Sequence, residues 1–193
     1  MRLILIRHGP TAWNRSRRLQ GRQDQPLDER GRQTVAGWRL DPSWLQLECR
    51  TSPLRRAVET SALLGFPAPK IEPLLTEMDW GNFEGRTIDD LRNELGETMR
   101  AMEALGVDFR PPGGESPRDV LERFETLVRG WLDEPGDRVL ITHKGVRRAA
   151  IVAATGWNML AKPPVRVGDN DALLLDLDEK SGRLELLGKV AMA

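Results

Sequence analysis

The chain has 193 residues, a length that suits one compact domain, and its 29 Lys and Arg residues balance 29 Asp and Glu residues, so the formal net charge is zero. No global field draws such a chain to nucleic acid or to an anionic membrane, so neither is expected as a partner, and any attraction for anions must be local. The single cysteine, Cys49, excludes an internal disulfide, and with no apolar run of signal-peptide or membrane-spanning type the sequence predicts a cytoplasmic protein.

The hydrophobic pattern predicts strands and helices that alternate along most of the chain. In chain order, the first predicted elements are a strand over 2–7, a helical turn within 11–18, a helix from Asp28 to about Trp38, a strand over 47–51 and a helix with Ser52 as its cap and Pro53 in its first turn. The later ones are an extended segment over 70–72, a helix over 87–95, a helix opening at Ser116, a strand ending at Thr142, a helix over 145–155 and a hairpin of strands over 172–177 and 183–190.

This alternation is typical of an α/β fold, here a three-layer α/β/α sandwich with a largely parallel central sheet. Residues 1–193 show no internal repeat and no linker, which predicts a single domain. The segment 96–114 has no clear period and ends in a Pro- and Gly-rich stretch. We interpret it as a partly helical insertion that covers the site as a lid.

The only two histidines of the chain occupy equivalent positions. His8 follows the apolar run of the first strand, and His143 follows the run that ends at Thr142, with Gly9 and Gly145 close behind them. In open α/β sheets, ligands sit outside the carboxyl ends of parallel strands. The pattern therefore predicts two imidazoles that face each other across one site.

Three interpretations of this pair stand side by side. Either His taken alone is most simply a satisfied polar residue at the end of a strand. A zinc site would need a third His, Cys or carboxylate at recognisable spacing, and neither His has one nearby. Arginines lie beside both: Arg7 precedes His8, and Arg147 and Arg148 follow His143. Such cations repel a metal ion and attract an oxyanion.

These residue types suit phosphoryl transfer from a monoester. A neutral imidazole such as His8 can attack phosphorus and form a phosphohistidine, and nearby arginines would depress its pKa and keep it neutral. Arg56 lies in the first turn of a predicted helix, where it and the second histidine can hold phosphoryl oxygens. A carboxyl group beside a phosphate dianion retains its proton, and Glu77 is our choice for the acid that protonates the leaving group. Arginine supplies the positive charge, so no metal or other cofactor is expected.

Several motifs in order then give the chain a family resemblance. It resembles the histidine phosphatase superfamily, also called the phosphoglycerate-mutase-like family. The matching segments are 5–14, 19–27, 52–57, 75–85, 113–116 and 142–143. They extend from the start of the chain to about Arg148. Because they occur in the family's order, the probability that the match is a coincidence is very small.

The resemblance implies a phosphoglycerate-mutase-like fold and the activity of a metal-independent histidine phosphatase on a small phosphorylated metabolite. It implies that His8 is the phosphorylated nucleophile and that Glu77 is the proton donor. The implied phosphate pocket consists of Arg7, Arg56 and His143, with Asn14 as a further donor and Thr11, Gln20 and Gly21 as further substrate contacts.

Two positions depart from the family pattern. Pro10 stands where an acidic or amide residue is common, so one local hydrogen bond is lost or replaced. Lys144 stands where the family often has Gly, and its side chain either adds a cation at the site or points to solvent, of which we expect the second. Neither change affects the reacting groups, so activity is expected.

The family contains hydrolases and mutases. Mutases are typically longer and carry segments that shield the phosphoenzyme from water, so hydrolysis is our expectation for this short chain. A phosphoglycerate-type mutase is the alternative, and a binding protein without catalysis on the same fold is the alternative from another class. A second anionic group of the substrate is recognised by Arg18, Arg22 and Arg110, or these are ordinary exposed arginines. An apolar wall for a sugar or nucleoside portion is formed by Trp13, Trp80, Met99, Met102 and Phe109, or these are core residues.

Overall fold

The structure is a computed structural model that describes residues 1–192. Within that range the strands are β1 (Arg2–Arg7), β2 (Glu48–Thr51), β3 (Lys70–Ile71), β4 (Arg138–Thr142), β5 (Asp171–Leu177) and β6 (Leu184–Ala191). The α-helices are α1 (Ala12–Arg15), α2 (Glu29–Gly37), α3 (Arg55–Leu63), α4 (Ile88–Leu95), α5 (Glu97–Glu103), α6 (Pro117–Arg129) and α7 (Lys144–Thr155). Short 3₁₀ turns cover Pro42–Gln46, Pro73–Leu75, Gly81–Phe83 and Gly106–Asp108.

The strands form one mixed sheet in the order β3-β2-β4-β1-β5-β6. The first four are mutually parallel, whereas β5 runs antiparallel to β1, and β6 runs antiparallel to β5. This arrangement confirms the predicted largely parallel sheet and the C-terminal hairpin. The β1–β4 register places Ile6 opposite Ile141 and Arg7 opposite Thr142.

Helices cover both faces of the sheet, as the three-layer prediction requires. Side chains of β1 alternate between two core clusters because successive residues of a strand point to opposite faces. Leu3 and Leu5 belong to the cluster that contains Phe124 of α6. Ile4 and Ile6 belong to the cluster that contains Val35 of α2 and Ala57 of α3.

Local capping signals predicted most helix starts correctly. Asp28 accepts a hydrogen bond from the backbone N–H of Gly31 at 2.8 Å, Thr87 caps α4, and Ser116 forms a reciprocal capping box with Asp119 at the start of α6. None of the helices in residues 1–192 combines the length and hydrophobicity needed to span a bilayer.

The predicted cap at Ser52 is wrong. Helix α3 begins at Arg55, and its N-cap residue Leu54 makes no side-chain capping bond. The Ser52 N–H instead donates to the Ile141 carbonyl at 3.0 Å, which extends the β2–β4 ladder by one residue. Strand pairing therefore keeps Ser52 extended, and its hydroxyl is used elsewhere.

The segment 96–114 is partly helical, as predicted, with α5 and one 3₁₀ turn. Met99 is fully buried, whereas Leu105 is exposed, so the segment contacts the core along one side. Its role as a lid stays a prediction.

The turn after β1 is packed closely against α2. A Cβ atom added at Gly31 would lie 1.9 Å from the Pro10 carbonyl oxygen, and one added at Gly9 would lie 2.3 Å from a Val35 methyl carbon. The backbone of the Pro10 position thus occupies the space that a side chain at position 31 would need.

Alanine substitutions at two glycines of α2 should therefore differ in their effect on stability. We expect Gly31→Ala to lower the free energy of unfolding by about 1–3 kcal/mol, because the helix and the turn must separate. Gly37→Ala is the matched control, since an added Cβ there has nothing within 4 Å, and it should be neutral or raise stability by up to about 1 kcal/mol. Urea denaturation of both variants measures this. Equal stability of Gly31→Ala and the wild type would contradict the packing argument.

Candidate active site

The carboxyl ends of three neighbouring parallel strands bring polar residues together. The His8 N–H donates to the Thr142 carbonyl at 2.9 Å, which continues the β1–β4 ladder and sets His8 beside His143. The two imidazole centroids lie 5.1 Å apart with a 54° angle between the ring planes. The predicted meeting of the two histidines at one edge of the sheet is thus present in the structure.

The environment of His8 determines which ring nitrogen carries the hydrogen. Nδ1 lies 2.7 Å from the Gly9 carbonyl oxygen, and because that oxygen only accepts, Nδ1 carries the hydrogen and Nε2 carries the lone pair. Burial, followed by the charges of Arg7 and Arg56, holds the pKa of His8 well below its usual value. His8 is therefore neutral at physiological pH, with a free nucleophilic nitrogen.

His143 is completely buried behind His8. Its Nε2 lies 2.8 Å from the Ser52 hydroxyl, and its Nδ1 has no hydrogen-bond partner. Burial, with the nearby charge of Arg56 and the His8 ring, holds the pKa of His143 well below its usual value.

Two guanidinium groups supply permanent positive charge. Arg56 is fully buried and donates to the carbonyl oxygens of Gly21 at 2.8 Å and Gln23 at 2.9 Å. Burial lowers the pKa of Arg56 to about 10, so the group stays charged at neutral pH. Arg7 forms an ion pair with Asp169, a residue of the segment before β5.

The carboxyl group of Glu77 is held against the start of α7. Gly145 donates its backbone N–H to Oε1 at 3.0 Å, and the N–H of Met78 donates to the same oxygen at 2.9 Å. A Cβ at Gly145 would lie 2.2 Å from Oε1, so only glycine permits this approach. The hydroxyl of Thr142 donates to the Leu75 carbonyl at 2.8 Å and ties the segment before Glu77 to β4.

The loop around α1 contributes amide groups. Asn14, Gln20 and Gly21 line the same cavity as His8, whereas Thr11 is buried and does not line it. The Thr11 hydroxyl lies 2.9 Å from Gln20 Oε1, and its capping box with Asn14 opens α1. Thr11 therefore holds two of the lining residues in place, which differs from the direct substrate contact that we expected.

Most of these groups line one cavity of about 760 Å³, whereas His143 is fully buried and does not line it. Arg7, His8, Arg56 and Glu77 line one part, and the apolar side chains of Trp80, Met99 and Phe109 line another. Arg18 also lines it, together with Arg17 and Arg92. The other proposed contacts lie outside it: Arg22 pairs with Glu115, Arg110 pairs with Asp119, and neither Trp13 nor Met102 lines the cavity.

Three residues that line this cavity, Arg7, Gln20 and Arg56, carry buried nitrogens without partners, whereas His143 and Arg147 carry such nitrogens outside its lining. Within residues 1–192, five buried side-chain nitrogens have no hydrogen-bond partner: Arg7 Nε, Gln20 Nε2, Arg56 Nε, His143 Nδ1 and Arg147 Nε. Buried donors are nearly always satisfied in folded proteins, so a cluster of exceptions marks a place that receives acceptor atoms. No three His, Cys, Asp or Glu side chains in that range are grouped so as to hold a metal ion.

Sequence reasoning missed some residues of the site. Ser52 ends a parallel strand as the histidines do, and that shared position was a usable signal. Asp169 gave no signal, because it lies in an irregular segment and reaches Arg7 only through the tertiary fold. Lys144 is exposed, as expected, yet it lines the cavity.

Comparison with known proteins agrees with this geometry. The model of the histidine phosphatase superfamily (branch 1) matches residues 3–189. A probable phosphoglycerate mutase, GpmB, from Cronobacter sakazakii is 34% identical over 79% of this chain and 74% of its own length.

Solved structures of similar proteins also match this chain. TTHB049 from Thermus thermophilus is 32% identical with a TM-score of 0.73, and the match covers 100% of this chain and 97% of that one. A mycobacterial glucosyl-3-phosphoglycerate phosphatase in complex with VO3 is 28% identical with a TM-score of 0.78, and the match covers 96% of each chain. Both similarities extend over essentially the whole fold.

The lowered pKa values of both histidines predict a loss of stability in mild acid. Above about pH 6.5 the histidines are neutral in both states and have no effect. Below it the unfolded chain binds protons that the folded chain does not, so the free energy of unfolding falls by up to roughly 1–1.5 kcal/mol per pH unit for each histidine.

Urea denaturation between about pH 8 and pH 5 measures this slope. Because the chain has only two histidines, His8→Gln should remove about half of the decline between about pH 6.5 and pH 5, above the range of ordinary carboxyl groups. The same decline in the variant and the wild type would show that His8 is protonated in the folded state.

Proposed function

Since this chain belongs to the histidine phosphatase superfamily, whose members act on small phosphorylated substrates, we propose that it hydrolyses a phosphomonoester through a phosphohistidine at His8. The proposed phosphate site comprises Arg7, Arg56 and His143, with Asn14 and Gln20 as amide donors and the Gly21 backbone beside them. Glu77 is the proposed general acid.

The cluster of unpartnered buried nitrogens is the observation that carries the proposal. Arg7, Gln20 and Arg56 line the cavity with His8, and each has a nitrogen free to donate. A phosphoryl group offers several acceptor oxygens with negative charge, which match these donors in number and sign. A neutral ligand would leave the buried charge of Arg56 uncompensated, because its partners are backbone carbonyl groups.

The first chemical step is attack on phosphorus. The His8 Nε2 lone pair forms the N–P bond while the bond from phosphorus to the ester oxygen breaks. The arginines hold the phosphoryl oxygens and stabilise the charge that spreads over them. The departing alkoxide takes a proton from the Glu77 carboxyl group, which lines the same cavity as His8.

The second step returns the enzyme to its starting state. The Glu77 carboxylate accepts a proton from water as the water oxygen attacks phosphorus. The N–P bond breaks, inorganic phosphate is released and neutral His8 is restored. One water molecule is consumed, and Glu77 ends the cycle with its proton.

The open rim of the cavity supports hydrolysis over mutase activity. Arg17, Arg18 and Lys144 line it and are exposed, so the part of the cavity that they form is open to solvent. A mutase must shield its phosphohistidine from water until the phosphoryl group is transferred back to a substrate molecule. The names of the relatives include both activities, since one is a probable phosphoglycerate mutase and another is a glucosyl-3-phosphoglycerate phosphatase.

Turnover of p-nitrophenyl phosphate and of 3-phosphoglycerate tests the proposal. We expect phosphate release from the aryl ester, an acid-labile phosphoryl group on His8 in quenched samples, and no turnover by His8→Gln. Phosphorus NMR with 3-phosphoglycerate separates the two activities. Efficient formation of 2-phosphoglycerate would overturn the hydrolase assignment, and turnover by His8→Gln would overturn the mechanism.

Adjacent arginines provide a matched control for the phosphate site. Arg56→Gln should lower kcat/KM by about 100-fold or more, because a buried charged donor is lost. Arg55→Gln should change it by less than about 2-fold, since Arg55 is exposed and faces Glu59 on the same helix.

Glu77→Gln tests the acid through its dependence on the leaving group. The amide cannot donate the proton, so phenyl and alkyl phosphates should slow by about 100-fold or more. p-Nitrophenyl phosphate should slow much less in the phosphorylation step, because nitrophenolate departs without a proton. The phosphorylation step is separated from dephosphorylation by measuring, for each ester, the initial burst in which its alcohol, phenol or nitrophenol is released. Equal slowing of all esters in the burst would contradict the assigned role.

A further inference from the structure

A second cavity adjoins the first. It has a volume of about 470 Å³ and is formed by α7 and the irregular segment that precedes β5. We call it the side cavity. Lys144, Arg148 and Asp169 line both cavities, so the side cavity begins where the proposed active site ends.

The side cavity concentrates positive charge. Four cationic residues line it, namely Lys144, Arg147, Arg148 and Arg166, against the single carboxylate of Asp169. Asp169 is already engaged by Arg7. Within residues 1–192, none of the four cations forms an ion pair with a carboxylate, whereas arginines elsewhere do, such as Arg118 with Asp108.

This excess is local, because the formal charge of the whole chain is zero. Partial desolvation, followed by the like charges of Arg7 and Arg148, lowers the pKa of Lys144. Burial would raise the pKa of Asp169, but Arg7, Arg147 and Lys144 outweigh it and hold that pKa below its usual value. The surroundings thus favour negative charge.

Two of the four cations are held in place without being neutralised. Arg147 is 3% exposed and donates to the carbonyl oxygens of Asp171 at 2.7 Å and Gly168 at 3.1 Å, and its buried Nε has no partner. The guanidinium of Arg148 lies over the Trp157 ring at 5.2 Å from its centroid. Both arrangements orient a guanidinium while preserving its full charge.

We propose that the side cavity binds a second anionic group, a carboxylate or a phosphate, carried by the leaving-group portion of the substrate whose phosphoryl group reaches His8. The inference rests on the proposed function and narrows its substrate class to phosphomonoesters with a distal anion. Lys144 and Arg148 lie at the junction of the two cavities, and Arg166 lines only the side cavity.

Binding of bifunctional phosphonates, which cannot be hydrolysed, tests this without requiring turnover. Isothermal titration compares alkylphosphonates with ω-carboxyalkylphosphonates and α,ω-bisphosphonates of equal chain length. We expect the distal anion to tighten binding by about tenfold or more at one or more chain lengths, because it adds charge-assisted hydrogen bonds. The comparison of the two anionic series shows which group the cavity prefers.

Three variants test whether the gain in affinity from the distal anion arises in the side cavity. Arg166→Gln and Lys144→Gln should each remove most of it, whereas Arg30→Gln, at an exposed arginine of α2 outside both cavities, should retain it. Equal affinity of all series at every length, or a gain that persists in Arg166→Gln, would overturn the proposal. Failure of the proposed function appears separately, as absence of phosphate release from p-nitrophenyl phosphate.

Discussion

The parallel pairing of β1 with β4 is the constraint on which the site depends. The ladder continues for one residue beyond the strands, and it sets His8 against Thr142 and therefore beside His143. Fully buried apolar side chains on both faces of these strands hold that register, since a slip of one residue would turn each side chain to the opposite layer. The distance between the two imidazoles is thus a property of the core.

Burial also decides the charge state of the site. Desolvation lowers the pKa of both histidines, and the arginines beside them act in the same direction. The imidazoles are therefore neutral, and arginine and lysine side chains supply the positive charge. Arg56 and Arg147 are oriented by backbone carbonyl groups, which accept hydrogen bonds without cancelling a charge. Both guanidinium groups therefore keep their positive charge available to an anion.

The start of α7 joins the Glu77 carboxyl group to the cations that line both cavities. Gly145 donates its N–H to Glu77, and the absence of a side chain there lets the carboxyl group approach. Lys144 and Arg148, one helical turn apart, face both cavities. Helix α7, the Glu77 carboxyl group and the outer cations therefore form one unit, whose position is fixed by the strand that precedes it.

The sequence by itself determined the features that rest on local physics. Hydrophobic period and capping residues gave the strands, the helix starts at Asp28, Thr87 and Ser116, and the α/β class, because each depends on neighbours a few residues away. Two histidines at strand ends, with arginines beside them, indicated an anion site, and the ordered motifs indicated the family.

The tertiary structure alone decided contacts between distant segments. Ser52 became a partner of His143 because strand pairing overrode its capping tendency. Thr11 turned out to support Asn14 and Gln20 from behind, and Asp169 reached Arg7 across more than 160 residues of sequence. The side cavity was equally hidden, since an irregular segment has no period from which its position could be inferred. Such contacts depend on the packing of the whole chain, which residue spacing does not encode.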